Sequence, residues 1–414
     1  MTKGSSAIKS AVGAGATWLA VGAAAGLFAI AFRIADQLLF VHAYGRPDVV
    51  RAFGALPALA RLLIPAAGGA IAAGLAARAR RGSGTGEIIA AVASPGARVP
   101  MGATLVNAAA TFTAISTGGS LGREGPLLHF GAAAGSALEP RAGEARSHPL
   151  IVAGTAAGFA AAYNTPFAAV LFVVEVIAGS AALELVLPAI VTTTVATAVS
   201  RWAMGGGPLY GLRTFSMQAR SELFAYAALG LCAGLLGPAF MALLDAGRRA
   251  FRLIPVPPAA RGALGGLLVG ACALRFPEVT GNGYEVIQPM LDAAYGVPML
   301  ALLLVVKAAG TTASVGSGSP GGVFTPSLFL GAAMGGLVGA AVQALWHTQH
   351  SPGGFVLVGM ATMIASTTHA PLMASVLAFE LSGDYAIVLP LFIANALAAL
   401  ASRAAHPKTI YQRQ

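Results

Sequence analysis

The sequence predicts an all-α polytopic membrane protein made of two related halves, with helices that break inside the bilayer. Three observations predict it. Of 414 residues, 57% are hydrophobic and only 10% charged, where a soluble domain carries about 25% charged residues. The apolar runs are long and rich in Ala, Leu and Gly, unlike the alternating segments of roughly 10 residues that a β-barrel needs. The chain also repeats its turn chemistry about 200 residues on, as at Pro126 and Pro326. Its 53 glycines suit helices packed closely in lipid, where small residues let backbones approach.

Candidate spans cover about 11–33, 53–77, 101–117, 126–138, 149–160, 166–178, 182–203, 222–246, 261–274, 296–313, 326–346, 354–366, 371–381 and 385–404. The first follows Lys3 and Lys9 and could pass for a signal peptide. Its apolar run exceeds the roughly 7–15 residues of such a segment, which predicts a retained span. Several others are shorter than the roughly 20 residues of a full crossing. Helices that stop in mid-membrane are tolerated only where protein or a watery cavity satisfies the loose backbone.

Net charge is +10, from 25 Lys+Arg and 15 Asp+Glu. The basic residues gather between apolar runs: Lys3 and Lys9; Arg78, Arg80 and Arg81; Arg141 and Arg146; Arg248, Arg249 and Arg252; Arg403, Lys408 and Arg413. The positive-inside rule reads these clusters as cytoplasmic loops and termini rather than a nucleic-acid surface. Cys232 and Cys272 sit in apolar surroundings, offer no metal spacing or disulfide framework, and read as small buried hydrophobes.

The repeat shows in three places. Gly82-Ser83-Gly84-Thr85-Gly86-Glu87 is echoed by Gly281-Asn282-Gly283-Tyr284-Glu285, and Pro126 by Pro326. Asn164-Thr165-Pro166 is echoed by His369-Ala370-Pro371, and Glu175 and Glu380 each follow their proline by nine residues. Repeats with interrupted helices are the pattern of transporters with a midplane site at the repeat interface. They predict one integral domain over 1–414, with halves at about 11–203 and 222–404, a tail at 405–414, and no soluble domain beyond it.

The chemistry gathers at two glycine–proline stretches, Gly122-Arg123-Glu124-Gly125-Pro126 and Gly321-Gly322-Val323-Phe324-Thr325-Pro326. Proline suits the first turn of a helix, so each stretch predicts a helix N-terminus inside the membrane. Free amides and the helix dipole there favour an anion. Glu124 is a carboxylate within a span, which is expensive and by default functional. Once protonated it could leave, and an anion could take its place. The plainer alternative is a capping carboxylate with no transport role.

These motifs resemble the signatures of the CLC family of chloride channels and chloride–proton antiporters, of the prokaryotic type without CBS domains. The likeness runs from about residue 15 to the end and includes Lys408-Thr409-Ile410-Tyr411. It implies a homodimer in the bacterial inner membrane. Each subunit would have about eighteen helices in two inverted-topology repeats, whose broken helices meet at a midplane anion site. Carried over by position, Glu124 would be the gating glutamate and proton acceptor. The Ser83 and Tyr411 hydroxyls and the Val323 and Phe324 amides would ligate the central anion, with amides around Arg123 and Gly125 lining an external site. Gly82, Gly84, Gly122, Pro126, Gly322 and Pro326 would shape these turns. Without the resemblance, Ser83 would read as a helix cap and Tyr411 as a membrane-interface aromatic.

The chain departs from the family in two places. Thr85-Gly86 replaces the usual Ile-Pro, an expected loosening of the helix behind Ser83. Val176 stands where proton-coupled members carry an inner glutamate. Glu175 matches a more structural glutamate, and Glu184 has no evident matching role. Val176 adds weight to passive conduction, with exchange still open. The partners implied are chloride, protons if exchange operates, and the lipid bilayer; no cofactor or metal is implied. Fluoride–proton antiport within the family and a cation-coupled inverted-repeat carrier are the alternatives. Ser83 argues for chloride over fluoride, and the hydroxyl and amide donors argue against a cation. Gly118-Gly119-Ser120-Leu121-Gly122 matches the nucleophile-elbow pattern, but no strand precedes it as that pattern needs, so no enzyme is expected.

Overall fold

The computed structural model describes residues 2–79, 84–139, 148–215, 217, 219–346 and 352–412, with side chains from residue 13 onward. The first half runs α1 (Thr2–Tyr44), α2 (Val49–Ala55), α3 (Ala58–Ala79), α4 (Thr85–Ala93), α5 (Met101–Ser116), α6 (Glu124–Leu138), α7 (Pro149–Tyr163), α8 (Pro166–Phe172) and α9 (Leu183–Met204). A single π-helical stretch, Val173–Ala178, continues α8. The second half runs α10 (Glu222–Arg252), α11 (Pro258–Arg275), α12 (Tyr284–Leu291), α13 (Val297–Gly316), α14 (Phe324–Trp346), α15 (Pro352–Thr368), α16 (Pro371–Ser382) and α17 (Val388–Ala405). Among the described residues the β-type pairing is one isolated antiparallel bridge, Gly122 with Gly322.

The backbone carries the repeat as well. Gly118 and Gly318 end α5 and α13 with φ of 92° and 91°. Asn164 and His369 end α7 and α15 with φ of 60° and 58°, and a proline starts the next helix two residues later. A left-handed residue stops a helix cleanly, and proline opens the next with its φ preset. The helix pairs that follow each Gly–Pro motif pack backbone on backbone. A Cβ on Gly131 would strike the carbonyl of Gly154, and one on Gly331 that of Gly359.

Seven helical segments among the described residues are long and apolar enough to cross a membrane. The outer helices expose Leu59, Leu235, Val305 and Leu400, as lipid-facing surfaces should. The core is α6, α7, α15 and the first half of α14, whose residues are almost all buried.

Four details differ from the sequence expectation. The run at 53–77 is two helices, because the residue before Pro57 is pushed out of helical geometry: Leu56 is extended at ψ 149°. The short helices α4 and α12 follow the glycine turns, below the length of a span. α4 forms over nine residues without a proline at its start. Cys232 is exposed on α10, among the lipid-facing Leu231 and Leu235, rather than buried.

Two polar devices satisfy interrupted backbone, one in the core and one half-buried at its edge. Lys307 in α13 is fully buried, and its Nζ donates to the carbonyls of Val279 (3.0 Å) and Gly281 (2.8 Å) before α12. Glu380 of α16 accepts the amides of Phe167 and Ala168 at the start of α8 (3.1 and 2.7 Å). In return, Glu175 accepts those of Leu372 and Met373 at the start of α16 (3.3 and 2.7 Å).

Candidate functional site

The two Gly–Pro motifs meet. Gly122 N–H donates to the Gly322 carbonyl at 2.7 Å, and Gly322 N–H to the Gly122 carbonyl at 2.8 Å. The pairing is antiparallel, as two inverted copies require on their common axis. α6 begins at Glu124 and α14 at Phe324, so two helix N-termini abut this bridge.

Glu124 reaches across it and is only 4% exposed. Its Oε1 accepts the amides of Phe324 (2.8 Å) and Thr325 (3.3 Å), and its Oε2 accepts the Thr325 hydroxyl (2.9 Å). A Cβ on either Gly122 or Gly322 would strike the Glu124 carboxylate, so only glycine at both positions leaves room for it. Of these donors only the Phe324 amide is expected from the sequence; the Thr325 amide and hydroxyl are additional. Carboxylates and halides accept from the same kinds of amide and hydroxyl donor.

The other expected residues are distributed as follows. Val323 is buried, and its carbonyl accepts the Ser327 amide at 3.0 Å. Arg123 is the N-cap residue of α6, and its guanidinium stacks 4.7 Å over the Tyr284 ring. Gly125 and Pro126 are buried in the first turn of α6, and Pro326 in that of α14. Gly82 and Ser83 lie outside the described residues. Gly84 caps α4, and the His129 ring of α6 bonds its carbonyl at 2.9 Å, tying the end of that loop to the Glu124 helix. Tyr411 is buried, edge-on to Phe172, and its neighbour Ile410 donates to the Thr367 carbonyl. Tyr411 and Tyr163 both lie within electrostatic range of Glu124.

Val176 is half-buried in the π-helical stretch and packs on the main core. Glu184 is exposed at the start of α9. Ser120 is buried behind α5, with its hydroxyl 3.1 Å from that of Thr311. A cavity of about 430 Å³ opens beside Arg123 and includes Arg33, Asp36, Asp48 and Glu285 in its lining.

Three polar residues escaped the sequence argument. Thr325 was visible within the second motif, but only as a spacer. Tyr163, whose hydroxyl lies 3.1 Å from that of Thr325, comes from the end of an unremarkable apolar run. Lys307 is one charge within the long run of α13.

Fold and site together define an inverted-repeat membrane protein in which a buried carboxylate joins two helix N-termini. The sequence profile of the voltage gated chloride channel family matches residues 65–403. A ClcB-like chloride channel protein of Ralstonia nicotianae is 37% identical over 406 residues, covering 95% of this chain and 94% of the relative. The voltage-gated ClC-type chloride channel ClcB of Escherichia coli is 35% identical over 364 residues, covering 85% and 86%. The chain therefore belongs to the voltage gated chloride channel (CLC) family. Among solved structures, a slow cyanobacterial Cl−/H+ antiporter superposes with a TM-score of 0.84 at 24% identity, covering 96% of both chains. A CLC-type fluoride/proton antiporter gives 0.76 at 23% identity, covering 97% of this chain and 98% of that one. These likenesses show the fold.

Proposed function

We propose that this protein carries chloride across the bacterial inner membrane as a homodimer with cytoplasmic termini, and that Glu124 gates each subunit's pathway. One observation carries the proposal: in a chain of this family, the Glu124 carboxylate sits on the α14 N-terminal amides as an anion would. In this reading Ser83, Tyr411 and the Val323 and Phe324 amides ligate the central ion, and amides at Arg123 and Gly125 line its outer approach. Such neutral donors suit an ion that must bind and then leave. The exposed apolar face of α8, α9 and α16, where Phe167 is 70% exposed, supports a paired subunit. The basic clusters support the orientation. The whole described chain serves as one transport domain, with transport rather than catalysis as its activity.

Val176 in place of an inner glutamate favours passive conduction and leaves exchange open. Purified protein in liposomes tests both points. Chloride flux is the expected outcome, and a protein inert to chloride but active on a cation would overturn the proposal. The reversal potential under a chloride gradient with an opposing pH gradient then separates the modes: a pH-independent value marks a passive conductor and a shifted value an exchanger. Glu124→Gln is expected to abolish any proton coupling. Proton movement that persisted unchanged would remove Glu124 from the gate.

A further inference from the structure

We propose that the Thr325 hydroxyl, oriented by Tyr163, is a side-chain donor of the anion seat, serving in turn the Glu124 carboxylate and the anion that replaces it. This adds a ligand to the hydroxyls and amides named above, and it rests on the chloride-transport reading.

The donor directions follow from valence. An ionised carboxylate only accepts, and a hydroxyl has one proton to give. With Glu124 ionised, the Thr325 Oγ1 proton goes to Glu124 Oε2, 2.9 Å away. The Tyr163 hydroxyl, 3.1 Å from Thr325 Oγ1, must then be the donor of that pair. The chain runs Tyr163 to Thr325 to Glu124 and ends on a charge, the arrangement in which each bond strengthens the next. Both side chains are 0% exposed, so neither hydroxyl is offered bulk water instead.

Both are also held in place. The Tyr163 ring packs against Phe159 at 4.9 Å and Phe324 at 5.3 Å between centroids. Thr325 is the second residue of α14, so no earlier turn of the same helix competes for its proton, as one would in mid-helix. Its repeat counterpart is Gly125, which has no side chain, so this donor exists on one side of the crossing only.

When Glu124 withdraws, the Thr325 hydroxyl and the Phe324 and Thr325 amides face the place it leaves. A halide accepts from all three. Protonating Glu124 changes the balance: the acid has a proton of its own to donate, and the charge that orders the chain is gone. The same event that frees the gate therefore frees the donor for the incoming ion.

The test is chloride titration by calorimetry on full-length protein in detergent, with Glu124→Ala as the reference so that no carboxylate competes. A hydrogen bond to a charged partner is worth roughly tenfold in affinity, so Glu124→Ala/Thr325→Ala should bind chloride roughly tenfold more weakly. Thr325→Ser in the same background should restore the affinity. Tyr163→Phe, which removes only the orienting bond, should cost roughly threefold. Unchanged affinity without the Thr325 hydroxyl, or failure of a folded Thr325→Ser to restore it, overturns the assignment. If Thr325→Ala does not yield a monodisperse protein, Tyr163→Phe decides, and unchanged binding there overturns it. If Glu124→Ala itself binds no chloride and liposomes show no chloride flux, the transport reading fails first and the ligand falls with it.

Discussion

The molecule crosses its two halves twice by the same means, and the crossings differ in one respect. At α8 and α16 each helix N-terminus is capped by a glutamate from the other helix, at closely matched distances. At α6 and α14 the backbones are just as symmetric, bridged at 2.7 and 2.8 Å, but the side chains are not. Glu124 on α6 faces Phe324 at the matching place on α14. The first crossing has a carboxylate for each N-terminus, so both sets of amides are satisfied by the protein itself. The second has one carboxylate, lent by α6 to α14. Helix ends that favour an anion are structural where the protein supplies every anion. In the proposed reading they become a site where it supplies one that can be exchanged.

If the first crossing is structural, removing its glutamates should cost the most. Each carboxylate accepts two amides, and each loss leaves a helix N-terminus uncapped, for roughly 2 kcal/mol apiece. Glu175→Ala and Glu380→Ala should therefore lower the thermal midpoint in detergent by similar amounts, and the double variant by about the sum. A cap that costs nothing while its twin costs the full amount would break the symmetry.

Glu124→Ala should behave oppositely. It takes a buried charge out of the core along with the bonds that hold it, and those terms oppose one another. Its signature is ligand-dependent instead. With the seat open, chloride at roughly 100 times its Kd should stabilise the variant by about 2.7 kcal/mol. Chloride should stabilise the parent less, because Glu124 already fills the seat. Equal chloride-induced shifts in the two proteins would mean that carboxylate and anion do not share a place.

The sequence makes the second crossing more legible than the first. Gly122, Pro126, Gly322 and Pro326 mark two helix starts by backbone chemistry alone, and Glu124 stands out as a charge in an apolar run. The repeat is legible because turn residues recur at one offset. At the first crossing, the nine-residue spacing of Glu175 and Glu380 from their prolines is visible, but not that each reaches into the other half. Tyr163 and Thr325 are 162 residues apart, and nothing in either neighbourhood announces the pair. Lys307 is hidden for a similar reason. Its role is to satisfy the Val279 and Gly281 carbonyls, and unpaired carbonyls leave no mark in a sequence. α4 and α12, at nine and eight residues, fall below the length at which apolar periodicity separates a helix from a loop.

The smallest expected effect lies beside the first crossing and asks whether it can be made to serve the second. Val176 follows the capping Glu175 directly, in the π-helical stretch, half-buried against the core. Val176→Glu places a carboxylate there without touching the Glu124 seat. Burying part of a charge next to a like charge should cost stability, on the order of 1–2 kcal/mol, less than the double cap deletion. The gain is an inner group able to exchange protons with Glu124 as it returns from the seat. In liposomes with opposing chloride and pH gradients, the parent's reversal potential should follow chloride alone, and that of Val176→Glu should move with the pH gradient. A parent that already responds to pH would show that another group carries the inner proton, and a variant that stays silent while folded would show that a carboxylate at 176 cannot reach the gate. The second result would confine the first crossing to structure.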